Sequence, residues 1–125
     1  MILDTCASLW LASGTKRLSK PTLKRLNEGA TVYVSAISGF EIALKVGKGD
    51  LTLPHSPEEW FNRVMEEHGL MVLPIDLSVC VTAAQLPPIH VDPCDRFIIA
   101  SAKLHDLSVV TADERFLAYG VSVVC

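Results

Sequence analysis

Short, almost wholly apolar segments alternate along this chain with longer segments that have helical periodicity. The apolar segments are "MIL", "TVYVS", "LMVLPID", "LSVVTAD" and "VSVV". Strands that are apolar on both faces are typical of a parallel sheet covered by helices on both sides. The pattern therefore predicts an α/β fold: a three-layer α/β/α sandwich with a central, mostly parallel sheet, in a single domain over residues 1–125.

Helix-capping residues bound the longer segments. Ser56 and Pro57 open the clearest helix, and Gly69 closes it. In a parallel sheet of this kind, ligands bind beyond the carboxyl ends of the strands, near the point where the strand order reverses. Functional residues are therefore expected at those ends. Similar signals predict a short helix "ERFLAY" and helices from Thr5 to Ser13, Ser19 to Glu28, Ala36 to Lys48, Asp76 to Leu86 and Pro93 to Leu104.

The composition argues against several classes of protein. No apolar run reaches the roughly 18 residues of a membrane span, and the start "MILDT" lacks the basic flank of a signal peptide. We therefore expect a cytoplasmic protein without a membrane partner. The four cysteines are scattered and form no Cys-x-x-Cys pair, so the sequence predicts neither a structural zinc site nor a disulfide framework.

Basic residues are concentrated near the amino terminus, although the net charge is -3. Such a patch on an acidic protein can bind phosphate, but a solvated helix face is an equally good explanation. The segment "KRLSKPTLKR" holds five of the eleven lysines and arginines, which are Lys16, Arg17, Lys20, Lys24 and Arg25.

Two aspartates follow predicted strands. Asp4 ends the first strand and Asp113 follows the fourth, so both are expected at the same edge of the sheet. Each has a simpler explanation, because Asp4 can cap the helix that starts at Thr5 and Asp113 can cap "ERFLAY". Two such residues at one edge of the sheet nevertheless favour a functional site there.

Three further acids lie near helix starts or among apolar residues. Asp92 is well placed as an N-cap, and Asp95 resembles the acid of a capping box. The helix continues as "FIIASA", so it must be deeply packed, and Asp95 is expected to point into the crevice. Glu41 has apolar neighbours, and a capping box with Ser38 or an ion pair with Lys45 explains it as well as a site does.

Convergence of four of these acids would determine the chemistry of the site. Carboxylates about 4 Å apart repel by roughly 4 kcal/mol per pair at an effective dielectric constant of about 20, so the cluster must bind protons or a divalent cation. Ligands that offer only oxygen favour Mg²⁺ or Mn²⁺. Such an ion activates water and stabilises the charge of a phosphodiester under attack, which is the chemistry of a nuclease.

The chain resembles the PIN-domain family, and within it the VapC-type toxins of bacterial toxin-antitoxin pairs. The resemblance rests on four motifs and their order, "LDT", "SAISGFEIALK", "HVDPCDRFIIASA" and "VVTADERF". The resemblance covers essentially the whole chain. It implies a dimeric, Mg²⁺- or Mn²⁺-dependent endoribonuclease selective for single strands, whose acidic pocket is blocked by a cognate antitoxin peptide. It also implies that the catalytic residues and metal ligands are Asp4, Glu41, Asp95 and Asp113.

The resemblance extends to residues beside the acids. Thr5 and Thr111 match polar neighbours of the metal ligands, and their hydroxyls are expected to hydrogen-bond those ligands. Two positions depart from the family pattern: Cys6 stands where relatives often have His, and Cys94 stands where they have Phe. Neither departure removes one of the four acids.

His90 and Arg96 are typical of this subgroup. His90 could contact phosphate or transfer a proton, but a loop histidine is more often structural. Arg96 could bind RNA or simply pair with Asp92 or Asp95. The candidate RNA-binding residues are therefore His90, Arg96, Lys16, Arg17, Lys20, Lys24 and Arg25.

Two other functional classes remain open at this point. A receiver-like signalling domain also combines a parallel sheet with an acidic crevice, but it needs adjacent acids after the first strand, whereas Thr5 follows Asp4 here. A non-catalytic module could use the same fold only to hold RNA or a protein partner. Retention of all four acids argues against such a degenerate site, because folding does not require them.

Overall fold

A computed structural model of the chain describes residues 1–125 and contains a single five-stranded sheet in which every pairing is parallel. The predicted α/β class is therefore confirmed, and the sheet is wholly rather than mostly parallel. The strands lie in the order β3-β2-β1-β4-β5. Their bounds are β1 Ile2–Leu3, β2 Tyr33–Ser35, β3 Met71–Leu73, β4 Val109–Val110 and β5 Val123–Val124.

The predicted capping residues begin the helices. At Asp4, Ser56, Asp92 and Asp113 a side-chain oxygen accepts a hydrogen bond from a backbone N–H in the first turn, as Ser56 does from Glu59 at 3.3 Å. The capping box considered for Ser38 and Glu41 is wrong, because that helix begins at Ala36 and the Ser38 hydroxyl lies 2.9 Å from the Thr5 hydroxyl. None of these helices combines the length and the apolar character that crossing a bilayer requires. The helices are α1 Thr5–Ser13, α2 Lys20–Asn27, α3 Ala36–Gly47, α4 Pro57–His68, α5 Leu77–Gln85 and α6 Pro93–His105, and "ERFLAY" forms a 3₁₀ helix, Glu114–Tyr119.

Side chains that alternate along the strands divide the core into two layers. Ile2 and Val109 pack on one face of the sheet with α5, α6 and the 3₁₀ helix. Leu3 and Val110 pack on the other face with α1, α2, α3 and α4. Each such buried aliphatic side chain contributes about 1.5–3 kcal/mol to folding. The arrangement confirms the three-layer sandwich.

The strand order reverses at β1, which lies between β2 and β4. The chain builds outward from β1 through β2 to β3, then returns to the other side of β1 with β4 and β5. A crevice therefore opens beyond the carboxyl ends of β1 and β4. Receiver-like domains instead place β1 beside β3, so that alternative is wrong for this chain.

Candidate active site

Asp4 and Asp113 lie on either side of the crevice where the strand order reverses. Asp4 follows β1 directly, and its Oδ1 accepts a hydrogen bond from the Ala7 N–H at 2.7 Å, which caps α1. Asp113 follows β4 and caps the 3₁₀ helix through Arg115 N–H at 3.0 Å. Each residue is therefore a helix cap and a pocket acid at once, because the cap uses one carboxylate edge and leaves the group facing the crevice.

Asp95 and Glu41 complete a pocket of about 410 Å³ shared by all four predicted acids. Its volume falls within the range of ligand sites in proteins, about 300–1,000 Å³. Asp95 enters from the first turn of α6. Glu41 enters from the middle of α3, where its side chain is 14% exposed and its Oε2 lies 3.9 Å from Lys45 Nζ. Glu41 therefore pairs with Lys45, as the spacing indicated, and also lines the pocket.

Asp92 is a fifth acid in the pocket. It caps α6 as predicted, with its Oδ1 accepting from Cys94 N–H at 2.9 Å, but sequence reasoning gave it no role in the acidic pocket. A carboxylate oxygen of Asp92, one of Glu41 and the Cys94 Sγ lie within 4.8 Å of one another. Burial raises the pKa of the Cys94 thiol to about 11. Cys94 therefore stays protonated and adds no thiolate to this set of oxygen ligands.

His90 links two of the predicted acids. Its Nε2 lies 2.8 Å from Asp95 Oδ2 and 3.1 Å from Asp113 Oδ2. The residue is 2% exposed, so the predicted contact of His90 with an RNA phosphate is wrong. The ring lies edge-on to Phe116, and the His90 N–H donates to the Tyr119 hydroxyl at 2.7 Å. A loop histidine is thus buried behind two of the acids and does not itself line the pocket.

The hydrogen bonds of His90 define which ring nitrogen carries the proton. The Asp92 N–H donates to Nδ1 at 3.3 Å, so Nδ1 is the acceptor. Hydrogen bonds from Arg115 lower the pKa of Asp113 to about 2, so that carboxylate is ionised and can only accept. We therefore assign the proton to Nε2, which donates to Asp113.

The acids of the pocket differ in how much positive charge lies beside them. Burial raises the pKa of Asp95 to about 7, and the nearby charge of Asp92 adds to the shift. Burial also raises the pKa of Asp4. Asp113 differs, because the Arg115 guanidinium donates to its carboxylate at 2.7–3.1 Å. The inner part of the pocket therefore lacks positive charge, which a divalent cation or protons can supply.

Three cations line the same pocket, namely Arg17, Lys45 and Arg115. Sequence reasoning treated Lys45 only as a partner of Glu41 and did not single out Arg115. The signal was present, since Lys45 is one helical turn after Glu41 and Arg115 is two residues after Asp113. Together these side chains place positive charge around an acidic centre.

Of the basic cluster at residues 16–25, only Arg17 lines the pocket. Lys16 and Lys20 are exposed but do not line it. Lys24 pairs with Glu28 at 3.6 Å on α2. Arg25 lies near the amino terminus of the chain, and its charge contributes to lowering the pKa of the Met1 amino group. Arg25 is therefore at the amino-terminal end of β1. The cluster is thus spread over α2 and the segment before it instead of being focused on the crevice.

Thr5 and Thr111 are buried beside the acids. The Thr5 hydroxyl lies 2.9 Å from the Ser38 hydroxyl, and Thr5 lines the pocket. Thr111 Oγ1 accepts from the Asp113 N–H at 3.0 Å, and a hydrogen bond from Thr111 lowers the pKa of Asp4 against the effect of burial. Thr111 thus connects the acids that follow β1 and β4.

Arg96 has a structural role. Its two terminal nitrogens donate to backbone carbonyls in and after α5 at 2.7–3.2 Å. The predicted ion pair with Asp92 or Asp95 is wrong, because the side chain turns away from the acids to these carbonyls. The same contacts remove Arg96 from the candidate RNA ligands. The accepting residues are Ala83, Leu86, Pro87 and His90.

Comparison with known proteins agrees with this geometry. Residues 1–121 match the PIN domain family. The chain is 29% identical over 120 residues to Ribonuclease VapC22 of Mycobacterium tuberculosis, a match that covers 95% of this chain and 91% of that protein.

Two solved structures show the same fold. FitAcB from Neisseria gonorrhoeae superposes with a TM-score of 0.68 and 25% identity over 99% of this chain and 96% of that one. VapBC2 from Rickettsia felis, solved bound to a DNA fragment from their promoter, superposes with a TM-score of 0.74 over 98% of this chain and 95% of that one. The identity to VapBC2 is 14%, so that likeness concerns the fold alone.

Proposed function

Because this chain belongs to the PIN domain family, we propose that it is a divalent-metal-dependent endoribonuclease and the toxin of a toxin-antitoxin pair. The observation that carries the proposal is the convergence of Asp4, Glu41, Asp95 and Asp113 in one pocket at the strand reversal. The relative from Mycobacterium tuberculosis, named a ribonuclease, supports RNA as the substrate. We assign the activity to the cytoplasm.

The donor set of the pocket fits Mg²⁺ or Mn²⁺. Its acids offer carboxylate oxygens, which these ions prefer, and the neighbouring thiol of Cys94 stays protonated. The raised pKa of Asp95 supports a site built to share its negative charge with a bound cation. When bound, the ion activates water and stabilises the charge that develops on the scissile phosphodiester. The residues that would hold it are Asp4, Glu41, Asp95 and Asp113.

Side chains buried behind the acids and cations at the rim of the pocket prepare it for RNA. His90 and Thr111 hold the carboxylates of Asp113, Asp95 and Asp4 in place through hydrogen bonds and close contacts. The cations at the rim can bind the phosphates on either side of the scissile bond, because guanidinium groups match phosphate geometry. The acids thus attract the metal ion and the rim attracts the substrate.

Regulation by a cognate antitoxin and assembly into a homodimer are part of the same proposal. The resemblance to VapC-type toxins supports both. An apolar groove beside the acidic pocket, lined by Leu9, Trp10, Leu53 and Trp60 among others, offers a surface for a protein partner.

The test is metal-dependent cleavage of single-stranded RNA by the purified protein and two matched variants. Asp4→Asn removes a carboxylate but keeps a good N-cap for α1, so the fold should survive. Asp76→Asn makes the same change at the N-cap of α5, outside the pocket. We expect Asp4→Asn to abolish cleavage and Asp76→Asn to retain it. Cleavage that persists in Asp4→Asn, or that is absent from the wild type with Mn²⁺, refutes the catalytic proposal.

A further inference from the structure

Trp10 is the one aromatic side chain that lines the acidic pocket. It lies one helical turn after Cys6 on α1, and both residues face the pocket. The indole also lines the neighbouring apolar groove, so it separates the acidic pocket from that groove. A base bound there would lie beside a phosphate held at the acids.

Arg17 covers part of the same indole. Its guanidinium carbon lies 5.4 Å from the centre of the Trp10 ring, and the side chain also lines the acidic pocket. Arg17 comes from the segment between α1 and α2, so the contact brings together two separate parts of the chain. This pairing places a cation over part of a flat hydrophobic surface, and both side chains line the pocket that holds the carboxylates.

The other tryptophan has a different environment. Trp60 is 6% exposed and packs edge-on against Phe61 at a ring distance of 4.9 Å, as a core residue does. Trp10 packs at the margin of the core and keeps part of its surface accessible. A purely structural role does not require the indole to border a charged pocket, where desolvating the acids is costly.

We propose that Trp10 and Arg17 form a subsite for an unpaired nucleobase and its phosphate, next to the acidic pocket. This inference rests on the proposed ribonuclease function and names how its substrate is held. The base stacks on the part of the Trp10 surface that Arg17 leaves accessible, and Arg17 contacts the flanking phosphate. Stacking needs an exposed base face, which a base pair in a duplex does not offer. The subsite therefore selects single-stranded RNA at a position that the carboxylates do not touch.

The experiment measures binding separately from cleavage. The background is the full chain with Asp4→Asn and Asp95→Asn, which removes two repelling charges and the proposed metal site. Titrations in EDTA use a labelled oligouridylate and an abasic ribose-phosphate oligomer of the same length, followed by fluorescence anisotropy. The two probes carry equal charge and differ only in their bases. In this background we compare Trp10→Leu, Trp10→Phe, Arg17→Gln and the charge-matched control Arg63→Gln.

Trp10→Leu should weaken binding of oligouridylate by at least about 5-fold, the lower end of what one stacked base contributes, while Trp10→Phe keeps most of the affinity. Neither change should affect the abasic oligomer. Arg17→Gln should weaken both probes equally and reduce the salt slope by about 0.7, the value for one phosphate contact on a single strand. Arg63 pairs with Glu59 on α4, outside the pocket. Its substitution should therefore leave the salt slope of binding unchanged for both probes.

Equal affinity of Trp10→Leu and its background for oligouridylate overturns the subsite, and so does an equal loss for both probes. If Trp10→Leu lowers the melting temperature too far, the Trp60→Phe variant provides a second measurement. Trp10 is then the only tryptophan, and RNA should quench its fluorescence while the abasic oligomer does not; equal quenching also overturns the proposal. Failure of the nuclease function would appear separately, as absence of cleavage by the wild type with Mn²⁺.

Discussion

His90 Nε2 lies 2.8 Å from Asp95 Oδ2, and the same nitrogen donates to Asp113 Oδ2 at 3.1 Å. One buried ring therefore joins the start of α6 to the segment after β4. The ring is itself held by the Asp92 N–H and by the edge contact with Phe116. Two carboxylates that would otherwise repel each other are thus held with one oxygen of each within 4.8 Å of the other.

Replacing His90 should weaken metal binding. His90→Ala removes the link between Asp95 and Asp113, and we expect the Mn²⁺ dissociation constant to rise by about 10- to 100-fold, the usual cost of losing a group that orients metal ligands. His90→Gln restores a side-chain N–H at a comparable reach and should recover part of the loss. Calorimetric titration with Mn²⁺ measures both variants.

His105→Ala, at an exposed position in the last turn of α6, serves as the control and should bind Mn²⁺ like the wild type. Circular dichroism establishes that His90→Ala is folded before it is titrated. A folded His90→Ala protein with unchanged Mn²⁺ affinity would show that the histidine supports only the loop that carries it.

Without metal, the free energy of unfolding should fall as the pH rises from about 4 to about 7. The pKa of Asp95 is raised to about 7, whereas an unfolded aspartate titrates near about 3.9. Between these values the folded state holds a proton that the unfolded state has released, so raising the pH favours unfolding. The raised pKa of Asp4 acts in the same direction. Thermal melts in EDTA at pH 5 and pH 8 measure the effect.

Asp95→Asn removes the titrating group and should melt at a higher temperature than the wild type at pH 8 in EDTA, with a smaller difference at pH 5. Asp113 has a lowered pKa of about 2, so its contribution is lost only below about pH 4 and leaves this window unaffected. Mn²⁺ at about 100 times its dissociation constant should add about 2.7 kcal/mol to the wild type. A wild-type melting temperature that rises from pH 5 to pH 8 in EDTA would contradict the assignment of Asp95.

Arg115 competes with a divalent cation for Asp113. Its guanidinium donates to both carboxylate oxygens of Asp113, so a metal ion that uses this carboxylate must share it with Arg115 or displace it. We expect Arg115→Gln to bind Mn²⁺ more tightly than the wild type at pH 7. Calorimetry gives the comparison, with Arg63→Gln as a control that changes the net charge equally. Weaker Mn²⁺ binding by Arg115→Gln would mean that the arginine organises the site instead of competing for it.

The parts of this site that could be predicted from the sequence are those fixed by local signals. Asp4 and Asp113 follow apolar strands, and parallel pairing brings the ends of such strands to one edge. The helix signals after Ser35 and Asp92 were equally local, so the starts of α3 and α6 were placed correctly. These features depend on a few neighbouring residues, and the sequence displays them directly.

The remaining contacts depend on how distant segments fold against one another. His90 reaches the acids because the segment between α5 and α6 is tied to Tyr119, which lies 29 residues away. The contact of Trp10 with Arg17 requires a turn after α1 that periodicity does not reveal. Asp92 was assigned to capping or to a pair with Arg96 and not to the pocket, because a residue that satisfies a local role gives no sign of a further one. Tertiary geometry, not residue type, decides these cases.

Arg96 should matter for stability and not for RNA binding. Arg96→Met keeps much of the apolar length of the side chain but leaves carbonyls in and after α5 without their charged donor, including that of Ala83 at 2.9 Å. We expect a loss of at least about 2 kcal/mol in the free energy of unfolding, measured by urea denaturation. Arg96→Lys should recover little, because a single ammonium cannot reach the several carbonyls that the fork of the guanidinium spans. The salt slope for RNA binding should stay unchanged in Arg96→Met, whereas near-normal stability with a smaller slope would identify Arg96 as an RNA ligand after all.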